Sequence, residues 1–314
     1  MKQLVVTADD FGAAREVNEA VEIAHTRGIL TATSLMVAAP AAAEAVALAK
    51  RLPSLRVGLH VVLVEGRPML PPSQIPDLVD ANGLFRTNMA ASGAKMFFFS
   101  EVRRQLEHEI EAQFEAFRAT GLTLDHVNAH KHFHLHPTIA STILRIGRKH
   151  GMRALRVPRE ILPRSLNQES SLSPSGGEGR GEGANASTHS EQQNSLQHSP
   201  PHPNPLPRWG RGNGLVGVFA SRLMNRVRRE GIATPDRIYG LRWSGAMTKE
   251  RVLSLMQGLP DGLSEIYLHP ATGPYPGSAP GYRYADELAA LTDGEVAQAA
   301  RDPHIKLGGF IDFR

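Results

Sequence analysis

The chain contains no cysteine among its 314 residues. This absence excludes disulfide bonds, thiolate zinc sites and cysteine nucleophiles, and it fits a reducing compartment. The sequence also lacks any run of the roughly 18 to 20 apolar residues that a membrane-spanning helix requires. Residues 1–10 pass directly from a strand-like run into two aspartates, which is unlike a secretory signal peptide. We therefore expect a cytoplasmic protein.

A strong excess of one charge is missing as well. The chain has 35 basic and 31 acidic residues, a formal net charge of +4, and 41% hydrophobic residues, as ordinary globular proteins do. The basic residues are spread along the chain and match no recognised nucleic-acid-binding module. We expect no nucleic-acid partner.

Strand-like and helix-like patterns alternate from the first residue onward. Strands are predicted at residues 4–8, 29–38, 56–63, 122–128, 154–158, 238–241, 264–268 and 305–310. Helices are predicted at residues 17–28, 41–51, 102–121, 139–151, 215–230, 248–256, 285–291 and 294–301. This alternation predicts an α/β protein with a parallel sheet, either open or closed into a barrel.

The alternation is interrupted at about residues 165–214. This segment is rich in Ser, Pro, Gly, Gln and Asn and has almost no apolar residues, so it cannot offset the entropy of ordering it. We predict one domain spanning residues 1–314, interrupted by a disordered low-complexity insertion.

Histidine is concentrated in one short segment, since five of the 14 histidines lie between residues 125 and 137. His130, His132, His134 and His136 alternate with other residues, and on a strand such side chains share one face. Neutral imidazole is the commonest protein metal ligand and titrates near pH 7. The segment therefore indicates a metal site, a proton-transfer group or both. The alternative is a surface tract that binds metal without function.

Other polar residues stand where apolar runs end, namely Asp9 and Asp10, His60 and His269. The carboxyl ends of parallel strands form the active-site edge of α/β proteins, so we expect these residues to meet the histidine segment there. One aspartate and two histidines make half a coordination shell for a divalent cation. The second aspartate supplies a general base, and a histidine across the site supplies an acid. Together they would perform metal-assisted hydrolysis of an amide or ester.

Four blocks of sequence resemble the signature blocks of the YdjC-like carbohydrate deacetylases. They are TADDFG at 7–12, VGLH at 57–60, DHVNAHKHFH at 125–134 and LHPA at 268–271. Residues 153–160 and 243–248 resemble the hopanoid-associated HpnK branch more than the chitooligosaccharide deacetylases of the ChbG branch. The resemblance covers the chain outside the insertion and implies an irregular (β/α) TIM-like barrel.

The same resemblance implies a role for each matching residue. Asp10, His60 and His130 would bind one divalent metal, Asp9 would be the general base, and His269 would be the acid or the oxyanion partner. His132 and His134 would line the site or hold the ligands in place.

The metal that the family implies is magnesium, although two histidines and one aspartate suit zinc or manganese at least as well. Asn128 and Ala129 stand where the family often has Asp-Ser, which bears on the orientation of His130.

The leading hypothesis is removal of an N-acetyl group from an acetylated amino sugar. The HpnK-like blocks imply the acetylglucosaminyl head of a hopanoid lipid as the substrate. The alternatives are a chitooligosaccharide deacetylase, a metal-binding component of a lipid pathway without turnover, and a phosphoesterase. Phosphoesterase sites usually hold two metals and more carboxylates than this sequence offers.

Three further features are open to two interpretations. The helix at 215–230 either lies on an anionic membrane surface, as a peripheral contact, or packs on the barrel with its arginines outward. The apolar residues 96–99 favour core or loop packing over lipid contact. Arg156 either faces the site or forms a structural ion pair. The oligomeric state is not fixed by the sequence.

Overall fold

Parallel β-strands form a single sheet in the computed structural model, which describes residues 1–161 and 215–313. The strands are β1 (Lys2–Phe11), β2 (Ala32–Leu35), β3 (Arg56–Val61), β4 (Leu124–Ala129), β5 (Arg237–Tyr239), β6 (Gly262–Leu268) and β7 (Ile305–Leu307). Their order is β4-β3-β2-β1-β6-β5, and β7 pairs with the first residues of β1. Every pairing between two of these strands is parallel, as the alternating sequence pattern predicted.

The sheet is not closed among the described residues, since no pairing joins its end strands β4 and β5. Beyond β4, the predicted strand at 154–158 is reduced to single bridges, Val127 with Leu155 and Ala154 with Ala233. The prediction of a parallel α/β fold is confirmed, whereas the described residues do not by themselves complete an eight-stranded barrel.

Eight helices of the described residues lie close to their predicted positions, with ends that differ by a few residues, and one, at Met89–Phe98, was not predicted from the sequence. They are α1 (Arg15–Arg27), α2 (Ala42–Arg51), α3 (Met89–Phe98), α4 (Ser100–Ala119), α5 (Pro137–Lys149), α6 (Leu215–Arg229), α7 (Lys249–Gln257), α8 (Tyr284–Thr292) and α9 (Gly294–Ala300). In α4, the predicted apolar stripe from Val102 to Phe117 is buried. Burial of its five large side chains favours packing by roughly 10 kcal/mol before the entropy of ordering is subtracted.

The two segments with alternative interpretations differ in their exposure. In α6, Leu223, Met224 and Val227 are buried, so its apolar stripe packs in the core, as in the second interpretation. The prediction for residues 96–99 is wrong for three of them, because only Met96 is buried. Phe97, Phe98 and Phe99 have exposed fractions of 50%, 72% and 59%.

Two further findings concern regions outside this core. The predicted insertion at 165–214 lies outside the described residues. Within the described ranges, no helix has both the length and the apolar character needed to cross a membrane.

Candidate active site

The carboxyl end of β1 carries Asp9 and Asp10 on an irregular stretch of backbone. In a regular strand, neighbouring side chains point to opposite faces. Here the pairing with β2 shifts register between Ala8 and Phe11, and Asp10 has φ of 64°. Such a bulge redirects side chains, and both aspartates line the same cavity.

Three potential metal ligands converge at this edge of the sheet. Asp10 Oδ1 lies 3.2 Å from His60 Nε2 and 3.2 Å from His130 Nδ1, and the two imidazole nitrogens are 3.3 Å apart. One carboxylate oxygen and two imidazole nitrogens form a donor set that suits Zn²⁺ or Mn²⁺ and can also hold Mg²⁺. Burial raises the pKa of Asp10, but His130 and His60 lower it more and hold it well below its usual value. The carboxylate is therefore ready to bind a cation.

Hydrogen bonds fix the tautomer of His60. Its Nδ1 lies 2.7 Å from Asn128 Oδ1, which can only accept, so Nδ1 carries the proton. Nε2 is then left with its lone pair directed at Asp10 and His130 in the neutral ring. Asn128, one of the two positions where the chain departs from the family pattern, therefore orients His60. The sequence alone predicted an effect on His130 instead.

Asp9 lies at the centre of a buried polar network. Its Oδ1 accepts hydrogen bonds from Ser34 Oγ at 2.9 Å and Asn128 Nδ2 at 3.0 Å. Its Oδ2 accepts one from Arg156 Nη1 at 2.5 Å. Burial raises the pKa of Asp9, but the Arg156 guanidinium lowers it by more, through its charge and its hydrogen bond, and holds it well below its usual range. Asp9 is therefore a carboxylate across the physiological pH range.

Arg156 forms a buried ion pair, which was one of the two alternatives open from the sequence, and it contacts the site through Asp9 without lining the cavity itself. It is fully buried, pairs with Asp9 in the cavity wall and also pairs with Glu265 of β6 at 2.6 Å. Glu265 accepts a further hydrogen bond from Thr7 Oγ1 at 2.8 Å. A buried cation shared by two carboxylates compensates charges that would otherwise be costly.

The histidine segment is not the strand that its alternation predicted. Residues His130–Leu135 form a 3₁₀ helix, within which Lys131 and His132 have φ of 52° and 55°. The imidazoles therefore point in different directions, and only His130 joins the cluster of ligand atoms.

Two other histidines of this segment, His132 and His134, contact residues of the site. His132 lines the cavity, with Nε2 3.2 Å from the Tyr267 hydroxyl. His134 is buried, and its Nε2 donates to the backbone carbonyl of Arg156 at 2.7 Å. Burial lowers the pKa of His134 to about 4, so this ring stays neutral and holds the Arg156 backbone.

His269, immediately after β6, also lines the cavity. Its ring packs edge-on against Tyr267 and Tyr282, with ring centroids 5.5 and 5.3 Å away. Its backbone N–H donates to Glu287 Oε2 at 2.5 Å. Burial lowers the pKa of His269, so the ring is a neutral N–H donor near pH 7.

One cavity of about 750 Å³ is lined by Asp9, Asp10, His60, His130, His132 and His269. Its walls come from the strand ends, from the start of α3, and from the segment between β6 and α8. Four of the five tyrosines in the chain line it: Tyr267, Tyr275, Tyr282 and Tyr284. The cavity thus combines a cation-binding cluster with a wall of aromatic rings.

Several of these residues were not singled out from the sequence. Ser34 and Glu265 are polar residues inside apolar strand segments, and that interruption was a readable signal. Glu287 and the tyrosines gave no such signal, because glutamate is usually exposed and tyrosine occurs both in cores and at surfaces.

The chain matches a sequence profile of the YdjC-like proteins over residues 3–302. It therefore belongs to the YdjC-like family. A carbohydrate deacetylase of Brevibacillus brevis is 37% identical over 148 residues, which are 47% of this chain and 56% of the relative. A carbohydrate deacetylase of Geobacillus stearothermophilus is 37% identical over 163 residues, which are 52% of this chain and 62% of the relative. The chain thus spans just over half the length of these curated relatives.

A solved structure from Enterococcus faecalis V583, described as a candidate cellobiose-phosphate cleavage protein, has the same fold. It superimposes with a TM-score of 0.68 at 22% identity and covers 99% of this chain and 98% of the other.

Proposed function

We propose that the protein is a metal-dependent hydrolase that removes an N-acetyl group from an acetylated amino sugar. The observation that carries the proposal is the convergence of Asp10, His60 and His130, whose ligand atoms lie within 4.8 Å of one another at the cavity. The curated relatives are named carbohydrate deacetylases, which supports the same reaction class. Hydrolysis of the acetamide consumes one water and yields acetate and the free amine.

Asp10, His60 and His130 would hold one divalent cation, which the family resemblance assigns as Mg²⁺ and the donor set also allows to be Zn²⁺ or Mn²⁺. When bound, such a cation supplies Lewis-acid activation of water and of the acetamide carbonyl. Asn128 keeps the Nε2 lone pair of His60 available for it.

Asp9 is proposed as the general base that accepts a proton from the attacking water. The Arg156 guanidinium keeps Asp9 charged but also makes it a weak base. Asp9 could therefore accept a proton only from a water molecule whose pKa is strongly lowered. His269 is proposed as the oxyanion partner. A neutral ring fits an N–H donor to the acetamide oxygen better than it fits a strong acid.

The cavity supports a sugar as the substrate. The rings of Tyr275, Tyr282 and Tyr284 offer apolar faces, and Ser244 and Glu65 add polar groups around them. We propose the acetylglucosaminyl head of a hopanoid lipid, processed by one domain in the cytoplasm with peripheral contact at the inner face of the membrane. A chitooligosaccharide is the alternative substrate.

Acetate release from acetamido sugars by the full chain tests the reaction. Asp10→Asn and His130→Ala should each lower kcat by at least ~100-fold while the far-UV circular dichroism spectrum and melting temperature stay near those of the parent. Asparagine is the matched replacement for Asp10, because it tolerates positive φ and removes only the charge. Full activity in either variant would reject the assignment. Metal binding by the parent without acetate release would instead favour a non-catalytic metal-binding role.

A further inference from the structure

Three consecutive phenylalanines, Phe97, Phe98 and Phe99, lie exposed at the junction of α3 and α4, and we call them the aromatic patch. Large apolar side chains clustered on a surface mark a contact site more often than isolated ones do. Phe97 packs edge-on against Phe98, with ring centroids 5.1 Å apart, and against His136 at 6.3 Å. The other two rings project further, with exposed fractions of 72% and 59%. Nothing in the proposed chemistry accounts for them.

The aromatic patch lies near the cavity. Helix α3 contributes Met89 and Ala90 to the cavity wall at its first turn and carries the patch at its last turn. A ten-residue helix is about 15 Å long, so the patch is about that far from the wall. His136, which Phe97 contacts, follows directly on the segment that supplies His130.

The charge beside the patch is basic. Lys95 stands one turn before Phe99 and forms no ion pair with an acidic residue in the described part of the chain. Arg103 follows the patch, and its guanidinium donates to the Phe97 carbonyl at 2.6 Å. Glu101 is the one acidic residue between positions 95 and 104, and it is paired with Arg104. Exposed aromatic rings flanked by cationic side chains match a lipid surface with anionic headgroups.

The size of the patch argues against a stable protein partner. Three phenylalanines exposed to this degree present roughly 350 Å² of apolar surface, whereas a stable protein interface buries about 800 Å² on each side. Insertion into the acyl boundary needs no such area, because each ring is covered on all sides by lipid. Helix α6, the membrane contact considered from the sequence, has its apolar stripe buried in the core.

We propose that the aromatic patch docks the protein on an anionic lipid surface, with Phe98 and Phe99 inserted and Lys95 near the headgroups. This docking would bring the cavity within reach of a sugar headgroup that projects from the membrane. The inference rests on the proposed function only for that substrate, since docking itself requires no catalysis.

Co-sedimentation of the full chain with vesicles tests the proposal. The parent should bind vesicles of phosphatidylcholine mixed with phosphatidylglycerol and bind pure phosphatidylcholine more weakly. Phe98→Ser combined with Phe99→Ser should weaken binding at least tenfold. Lys95→Gln should weaken it about fivefold, and only on the anionic vesicles. Val218→Ser is the matched control, because it removes an exposed apolar side chain, 45% exposed, from α6 and should leave binding unchanged.

Three outcomes would overturn the proposal. They are no binding by the parent to either vesicle, unchanged binding by the Phe98→Ser, Phe99→Ser double variant, and a dimer seen by sedimentation velocity that this variant dissociates. Acetate release from a water-soluble acetamido sugar separates the two proposals, because the double variant should retain it. Loss of vesicle binding with retained activity therefore supports docking, and absence of activity in the parent bears on the proposed reaction alone.

Discussion

Asn128 and His60 face each other as register partners on β4 and β3, and the amide oxygen of Asn128 lies 2.7 Å from Nδ1 of His60. The amide nitrogen of Asn128 donates to Asp9 Oδ1 at 3.0 Å. One side chain therefore joins a proposed metal ligand to the proposed base. Reversing the amide would set its oxygen against the Asp9 carboxylate, so the hydrogen-bond network fixes its orientation.

Removing the Asn128 amide should weaken metal binding. In Asn128→Ala the His60 ring loses its principal acceptor and both its tautomer and its orientation, and loss of such a partner typically costs 10- to 100-fold in metal affinity. Isothermal titration calorimetry with Zn²⁺ or Mn²⁺ measures this change. Asn128→Asp retains an oxygen acceptor for His60, although it also places a carboxylate oxygen beside Asp9 Oδ1, and it should bind metal more tightly than the alanine variant. Equal affinities of both variants and the parent would contradict this role.

Replacing the buried Arg156 by Met should destabilise the fold by about 3–5 kcal/mol, because Asp9 and Glu265 are left as unpaired buried carboxylates. Urea denaturation monitored by circular dichroism gives the free energy of unfolding. Adding Glu265→Gln to Arg156→Met should restore part of the loss, since one of the two charges is then gone. If the free energy of unfolding of Arg156→Met lay within about 1 kcal/mol of that of the parent, the ion pair would not be needed for stability.

The buried carboxyl of Glu287 should make stability depend on pH. Burial raises its pKa from 4.5 to about 7, against hydrogen bonds from the backbone N–H groups of Met247 and His269. At a pH between 4.5 and about 7, the folded state keeps the Glu287 proton that the unfolded state has lost. The contribution of this group to stability is thus complete below pH 4.5 and is lost as the pH rises through about 7.

Comparison with Glu287→Gln isolates this effect. The free energy of unfolding of the parent, relative to the variant, should fall by roughly 3 kcal/mol as the pH rises from about 4.5 to about 7. Urea melts of both proteins across this range measure the difference. Parallel pH curves for the two proteins would mean that Glu287 does not titrate there.

Displacing Tyr282 should weaken substrate binding without affecting the metal. Gly245 has φ of 74°, and a methyl group added to it would overlap the Tyr282 ring. Gly245→Ala should therefore push the ring from its place beside His269 and raise KM by about tenfold. Tyr282→Phe is the matched control, because it keeps the ring and removes only the 2.9 Å hydrogen bond with Ser244. An unchanged KM in Gly245→Ala, with the ring shown to be displaced, would exclude Tyr282 from the sugar-binding wall.

Much of the fold could be predicted from local patterns. The apolar positions from Val102 to Phe117 have the 3.6-residue period of a helix, and the run before Asp9 is a short continuous apolar run; a few neighbouring residues define each pattern. Parallel pairing follows from the alternation of strands and helices, and it places Asp10, His60 and His130 at one edge of the sheet. The strand ends alone nominated a larger group, with Asp9, the rest of the histidine segment and His269 in it, and the family resemblance selected these three residues as the ligands.

Details that depend on backbone exceptions were not predictable in this way. The histidine segment alternates like a strand, yet its left-handed residues Lys131 and His132 turn it into a 3₁₀ helix. Residues 96–99 are as apolar as a core segment, yet three of them lie exposed where the chain passes from α3 to α4.

By itself the amino-acid sequence determined most of the helices and strands, the parallel sheet and the strand ends where the reactive side chains gather, because each follows from the chemistry of neighbouring residues. Only the tertiary structure decided that Asn128 holds His60, that Arg156 is shared by Asp9 and Glu265, and that Glu287 binds the backbone at His269. The partners in these contacts are separated by 18 to 147 residues. Contacts over such distances depend on strand register and on how helices pack, which local patterns do not encode.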